Sequence, residues 1–265
     1  MTFDFPLVLL SAIIFSGAVC LCDFIFCLVN KEKCFETKKR PLIIDYARAF
    51  FPVLLLVFCI RSFLFQPYRV PTGSLKPTVM PGDFILVNQY HYGVRFPVWD
   101  KKLISVGEPA RGQVALFYYP VDHRFTFVKR VVGLPGDHIS YINKVLYVNG
   151  KQASQKFVAD VTQLNDFGQL VTYQKYEEDL SGVKHAIFEI NDGGHPPHDF
   201  YNIVVPQGQY FMMGDNRDES DDSRYWGFVP EKNLVGHALF IWMSWDGSAS
   251  HFYDMVRWDR IGHRL

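Results

Sequence analysis

The feature that most constrains this chain is the run "FPLVLLSAIIFSGAVCLCDFIFCLV" at 5–29, 25 positions whose one charge is Asp23. A helix needs roughly 20 apolar residues to cross a hydrocarbon core, so the run is long enough to span. A cleaved leader would open with basic residues ahead of a shorter core, and Met1–Phe5 contain neither Lys nor Arg. An uncleaved transmembrane helix is expected. Asp23 within it needs a polar partner or a position near the boundary.

A second apolar run, "FFPVLLLVFCIRSFLF" (50–65), follows Arg48 and contains Arg61, with twelve uncharged residues between the two arginines. Adding Ser62 to Phe65, with Arg61 snorkelling toward head groups, gives about seventeen residues, enough for a second span. An interfacial or buried helix would use the same residues. Between the runs, "KEKCFETKKR" (31–40) holds five Lys or Arg. Short loops rich in positive charge stay in the cytoplasm, which places the basic loop (31–47) there; if both runs span, both termini lie outside the cytoplasm and the large C-terminal part is exported.

All five cysteines (20, 22, 27, 34 and 59) lie in this first part, and none occurs from 60 to 265. An exported domain without cysteine needs no disulfides and offers no zinc–thiolate ligands. Lys plus Arg and Asp plus Glu balance at 27 each, so no net field points to nucleic acid.

From residue 83 the pattern changes to short β runs broken by Gly and Pro. Strands are expected at 83–90, 113–119, 125–133, 145–152, 203–215 and 237–245, with Asn149-Gly150 as a strong hairpin signal. No sustained helical period follows residue 66. The fold class is therefore membrane-anchored and mainly β: two transmembrane helices over 1–66, then an all-β domain from 67–152 and 206–265. The more polar segment 153–205, ending in "NDGGHPPHDFYN", is expected to form a smaller inserted subdomain. His195 and His198 have a ligand-like spacing, but the prolines between them suit a surface turn, so no metal is expected there. Gly-Asp recurs at 82–83, 136–137 and 214–215 and reads as turn chemistry.

Three polar segments could carry chemistry. In "RVPTGSLKPTVMPGD" (69–83), Thr72-Gly73-Ser74 are small residues suited to an exposed turn, nine residues past the apolar run. A serine nucleophile needs a base, and none of the exported histidines stands beside a nucleophile elbow. A neutral lysine is the other option. In "FTFVKRVVGLPGD" (125–137), strand alternation puts Phe125, Phe127, Lys129 and Val131 on one face, where an ammonium would be poorly solvated. Lowering a lysine from about 10.4 to about 7–8 takes roughly three units, on the order of 4 kcal/mol, within the reach of burial. Taken alone, Lys129 in a strand better suits a snorkelling surface position. The acidic stretch "GDNRDESDDSRYWGFVP" (214–230) lacks the aspartate spacing and closing glutamate of a calcium loop. It reads instead as a hydrogen-bonded loop in which Ser220 orients a base, with Asp222 and Arg224 paired behind it.

Together, and in this order after two membrane segments, these pieces resemble the bacterial type I signal peptidases, membrane-bound Ser–Lys proteases that remove leader peptides from exported proteins. The resemblance runs from the first membrane helix to about Pro230. It implies Ser74 as nucleophile, Lys129 as general base, Ser220 as the hydroxyl fixing the amine, and Asp222–Arg224 as a supporting ion pair. The oxyanion hole would be the Ser74 N–H with the Thr72 hydroxyl, a threonine where a serine is the better-known choice. Lys76 departs from a usually apolar position. Tyr68, Val70, Pro71, Val79 and Val128 are the implied lining of shallow pockets for small residues before the cut, and Phe84 and Trp99 are candidates for an aromatic rim dipping into the membrane interface. The implied partners are signal peptides of secreted preproteins, membrane lipid and, indirectly, the translocation machinery, with no cofactor. The implied location is the bacterial inner membrane, multi-pass, with the catalytic domain on its outer side.

Overall fold

The computed structural model describes residues 5–29, 41–95, 102–104, 106–191, 199–247, 249 and 251–265. The basic stretch 31–40, Cys34, Trp99, His195 and His198 lie outside them. The chain divides into two compact units, Met1–Phe65 with Val94–Ile104, and Gln66–Gly93 with Ser105–Leu265.

In the first unit, α1 (Phe5–Val29) and α2 (Leu42–Cys59) are both long and apolar enough to cross a membrane, and α2 continues into a π-turn at Ile60–Leu64. The second helix starts earlier than the apolar run suggested, taking in Asp45 and Arg48. Arg48 is tolerated because its guanidinium pairs with Asp23 of α1, which gives Asp23 the polar partner it needs. Gly17 lies against the Phe51 ring, so the two helices touch in opposite directions along their length. Elsewhere both present apolar side chains outward, among them Ile14, Phe15, Leu21, Phe24, Phe50 and Leu56.

The second unit begins with β1 (Phe65–Arg69) and β2 (Asp83–Asn88); a short hairpin of β3 (Val94–Arg95) and β4 (Lys102–Ile104) interrupts it. Then come β5 (Val114–Tyr118), β6 (Thr126–Gly133), β7 (His138–Ile142), β8 (Val145–Val148) and β9 (Lys151–Gln152). Two long strands follow, β10 (Ser154–Leu164) and β11 (Leu170–Leu180), with β12 (Val183–Ile190) and β13 (Phe200–Val204). β14 (Gln209–Met213), a short helix α3 (Ser223–Trp226), β15 (Val229–Pro230) and β16 (Leu234–Ser244) follow, with short 3-10 turns such as Phe252–Met255 and Trp258–Arg260 toward the end of the chain. The main sheet has seven strands in the order β1-β2-β16-β5-β6-β14-β15.

β5 is buried on both faces, which explains its continuous apolar sequence. Val114 and Leu116 enter one core cluster with Val70, Leu75, Val79, Ile85 and Val128, while Ala115 and Phe117 enter another with Val131, Tyr210 and Met212. A third cluster joins Val132, Phe211 and Met213 to Ile139, Tyr141 and Leu146 of the sheet β13-β7-β8-β9. The turn between β8 and β9 has positive φ at both Asn149 (53°) and Gly150 (75°), the conformation that Asn-Gly favours in a two-residue hairpin.

Within 153–205, β10, β11 and β12 make their own antiparallel sheet, whereas β13 pairs with β7. The first two Gly-Asp pairs share one turn: Asp83 accepts from Met80 N–H (2.8 Å) and Asp137 from Leu134 N–H (2.5 Å), each three residues back. Asp83 is fully buried and is answered by Arg260 (2.7 Å) and the Ser244 hydroxyl (2.6 Å), which ties β2 to the C-terminal segment. The third pair differs, since Asp215 serves the site.

Candidate active site

Residues 72–78 form a tight irregular turn between β1 and β2. Lys76 N–H donates to Gly73 O and Val79 N–H to Leu75 O, both at 3.0 Å, and the apolar Leu75 and Val79 are wholly buried beneath it. That buried underside turns Thr72 and Ser74 toward a cavity of about 1100 Å³. Thr72 is exposed and Ser74 half-buried. The Ser74 N–H, the Ser74 hydroxyl and the Thr72 hydroxyl have no hydrogen-bond partner among the described residues.

Lys129 reaches the same cavity from β6. It stands opposite Ala115 in the sheet and is 3% exposed, with its amine 5.8 Å from the centroid of the Phe127 ring. Its Nζ donates to Ser220 Oγ at 3.0 Å. Burial pulls the amine from its ordinary value down to about 8, against the opposing attraction of Asp222 and Asp221. The strand alternation read from the sequence therefore holds at this residue.

Ser220 is held by the loop after β14. Asp222 caps α3, accepts from Gly214 N–H (2.9 Å) and pairs with Arg224 Nε (2.8 Å), whose Nη2 donates to Arg217 O (2.5 Å). Burial raises the Asp222 carboxyl, but Arg224 outweighs it and keeps the group below the usual carboxylate range. Gly214 must lack a side chain, because a Cβ there would lie 2.2 Å from Ser220 Oγ and 2.4 Å from Ser74 O. Four of the five acidic side chains of this loop are engaged by protein groups, Asp215 by Arg130, Asp218 by Lys144, Asp222 by Arg224 and Glu219 by Tyr173, while Asp221 is exposed.

The structure thus gathers Thr72, Ser74, Lys129 and Ser220 in one cavity, with Asp222 and Arg224 behind Ser220. Tyr68, Val70, Pro71 and Val128 also line it. Val79 does not: it is fully buried in the core, where it offers a substrate no surface. Phe84 lies away from the cavity, edge-on to Trp242 at 5.8 Å. No described histidine lines the cavity.

Sequence reasoning passed over Arg130, Asp215 and Asn216. Arg130, on the other face of β6, is paired with Asp215, which also accepts from the Thr78 hydroxyl at 2.5 Å. Asn216 holds the serine turn twice, through its N–H to Ser74 O (3.1 Å) and its amide to Gly73 O (3.2 Å). Both Asp215 and Asn216 sit inside the acidic stretch 214–230, but nothing in a linear motif shows that its backbone meets a turn some 140 residues earlier.

The family model for "Signal peptidase, peptidase S26" matches residues 43–245. The chain is therefore a serine endopeptidase of the S26 class. Two signal peptidase I proteins, from Pseudomonas fluorescens and Pseudomonas aeruginosa, are each 41% identical to it, the first over 97% of this chain and 98% of its own, the second over 92% and 94%. Signal peptidase I of Buchnera aphidicola subsp. Acyrthosiphon pisum is 36% identical over 94% of both chains. The chain belongs to the bacterial type I signal peptidases, which cleave signal peptides.

Proposed function

We propose that this signal peptidase works through a Ser74–Lys129 dyad while anchored in the bacterial inner membrane by α1 and α2, with its β domain on the outer side. The observation that carries the dyad is the amine of Lys129, buried, brought down to about 8 and bonded to Ser220. At pH 7 such an amine is neutral roughly one time in ten, against about one in several thousand for a free lysine. A neutral amine that donates one N–H to Ser220 keeps a lone pair for the Ser74 hydroxyl. It takes that proton as Oγ attacks the scissile carbonyl, returns it to the leaving amine, and then activates the water that hydrolyses the acyl-enzyme. No hydrogen bond joins Ser74 to Lys129 here, in keeping with catalytic contacts that tighten when substrate binds.

The oxyanion is received by the Ser74 N–H and the Thr72 hydroxyl. Asp222 with Arg224 fixes Ser220, and so the amine. The substrate lies extended along the strand edge, adding backbone hydrogen bonds, and presents small residues to shallow pockets walled by Tyr68, Val70, Pro71 and Val128. The chain from Phe65 to Ser74 is at most about 30 Å when extended, which keeps the nucleophile near the bilayer where a leader peptide still in lipid exposes its cleavage site. Lipid and, indirectly, the translocation machinery are then its neighbours, and the basic loop 31–47 lies in the cytoplasm.

The test is cleavage of a preprotein by the detergent-purified full chain. Ser74→Ala and Lys129→Met should each abolish turnover while leaving the folded state intact. Retained activity in either variant would remove the corresponding residue from the mechanism.

A further inference from the structure

The tip of the β10–β11 hairpin meets the serine turn across more than 90 residues of sequence. Asp166 Oδ2 accepts the Gly73 N–H at 2.6 Å. Lys76, 3% exposed, donates from Nζ to Leu164 O at 3.0 Å and pairs with Asp166 at 3.4 Å. Asn165, beside them, donates to Glu219 Oε1 at 3.1 Å, and the other oxygen of Glu219 accepts from Asn216 at 3.1 Å. Asn216 in turn holds Gly73 O and Ser74 O.

Taken together, these contacts account for the backbone on both sides of the serine. Gly73 N–H goes to Asp166, Gly73 O to Asn216 and Lys76 N–H, and Ser74 O to Asn216 N–H. Of the N–H and C=O groups of Gly73 and Ser74, the Ser74 N–H is the one left open among the described residues. Contact at Gly73 is close enough that a Cβ would lie 2.5 Å from Asp166 Oδ1 and 2.6 Å from Lys76 Cε. A carboxylate bonded to a main-chain N–H is a strong and directional anchor.

We propose that Asp166, backed by Lys76, is a positioning residue for the known reaction: it holds the peptide preceding Ser74 so that the Ser74 N–H and hydroxyl face the scissile carbonyl together. The same contact explains Lys76, whose charge is spent on the hairpin tip rather than on the substrate. This inference rests on the assignment of Ser74 as nucleophile.

Steady-state cleavage of a preprotein by the full chain in detergent tests it. Asp166→Ala should lower kcat about 10- to 100-fold, since an ångström of misplacement can cost about that much, with KM within about twofold. Its pH–rate midpoint should not move, because Lys129 is untouched. Asp166→Asn keeps an acceptor for Gly73 N–H and should recover kcat to within several-fold of the parent. A parental kcat in Asp166→Ala, a loss confined to KM, or an Asn variant no better than the Ala variant would each overturn the proposal. Should Asp166→Ala fail to fold, Lys76→Met, which removes the other anchor, must show the same fall in kcat, and an unchanged kcat there overturns it. Ser74→Ala run alongside separates the two claims: turnover in that variant removes the nucleophile assignment and this inference with it. An inert Ser74→Ala beside a fully active Asp166→Ala removes this inference alone.

Discussion

Arg130 Nη2 lies 2.6 Å from Asp215 Oδ2, and neither side chain is more than 4% exposed. Arg130 also donates to Gly112 O at 2.6 Å, while Asp215 accepts from Thr78 of the serine turn, so this pair joins β6 to the nucleophile's own loop. Burial works against ionising Asp215, and Arg130 reverses that and holds the carboxyl low. Removing one partner leaves a buried charge unanswered, which typically costs about 3–5 kcal/mol. Arg130→Met should show that loss in denaturant titration at pH 7, together with reduced cleavage. A variant within 1 kcal/mol of the parent, on the order of an ordinary surface change, would show that the pair is not a determinant of stability.

Gly214 packs against both serines of the site. Because its Cβ would collide with both Ser220 Oγ and the Ser74 carbonyl, Gly214→Ala should displace one or the other. Displacement on the scale of an ångström predicts a fall in kcat of about 100-fold. The thermal midpoint should change far less than activity does. Activity within threefold of the parent would mean that the site yields there without loss.

Glu189 gives a pH signature of the opposite sign to the ion-paired carboxylates. It is 6% exposed, and burial raises its carboxyl to about 7 although Arg217 opposes the shift. A carboxyl that is raised on folding binds a proton more tightly in the folded state, so its contribution is favourable below the unfolded value of about 4.3 and is lost as pH rises toward 7. Glu189→Gln should therefore match the parent at pH 4 and exceed it by an amount on the order of 3 kcal/mol at pH 8. Unfolding free energies measured at the two pH values check this, and an equal difference at both would exclude Glu189 as the titrating group.

The Asp23–Arg48 pair joins the two apolar helices where few other polar groups are available. Replacing Asp23 with Leu strands a guanidinium against hydrocarbon, whereas the double variant Asp23→Leu, Arg48→Leu does not. In detergent the single variant should unfold at a lower temperature than either the parent or the double variant. Equal midpoints in all three would mean that the pair is neutral.

Much of the fold was legible because hydrophobic pattern and turn residues agreed. The Asn149-Gly150 hairpin followed from local chemistry, and strand alternation put Lys129 on one face with Phe127 and Val131, but it did not decide the burial of Lys129, because β6 is buried on both faces from Val128 onward. What stayed hidden depends on contacts distant in sequence. β10 and β11 are long strands with mostly exposed or half-exposed side chains on both faces, so "SQKFVADVTQL" shows little alternation. Val79 was placed in a pocket by position alone, yet the turn's apolar underside sends it into the core. Asp166 carries no motif at all, and only the hairpin's reach brings its carboxylate to Gly73.

The claim on which the mechanism turns is that Lys129 is the base, and the pH dependence of kcat/KM for preprotein cleavage by the full chain tests it most directly, because that ratio reports ionisations of the free enzyme. Activity should rise with pH through a midpoint near 8, as the buried amine loses its proton. A rising limb centred near 4 or near 6.5, the ordinary values of about a carboxylate or a histidine, would contradict it.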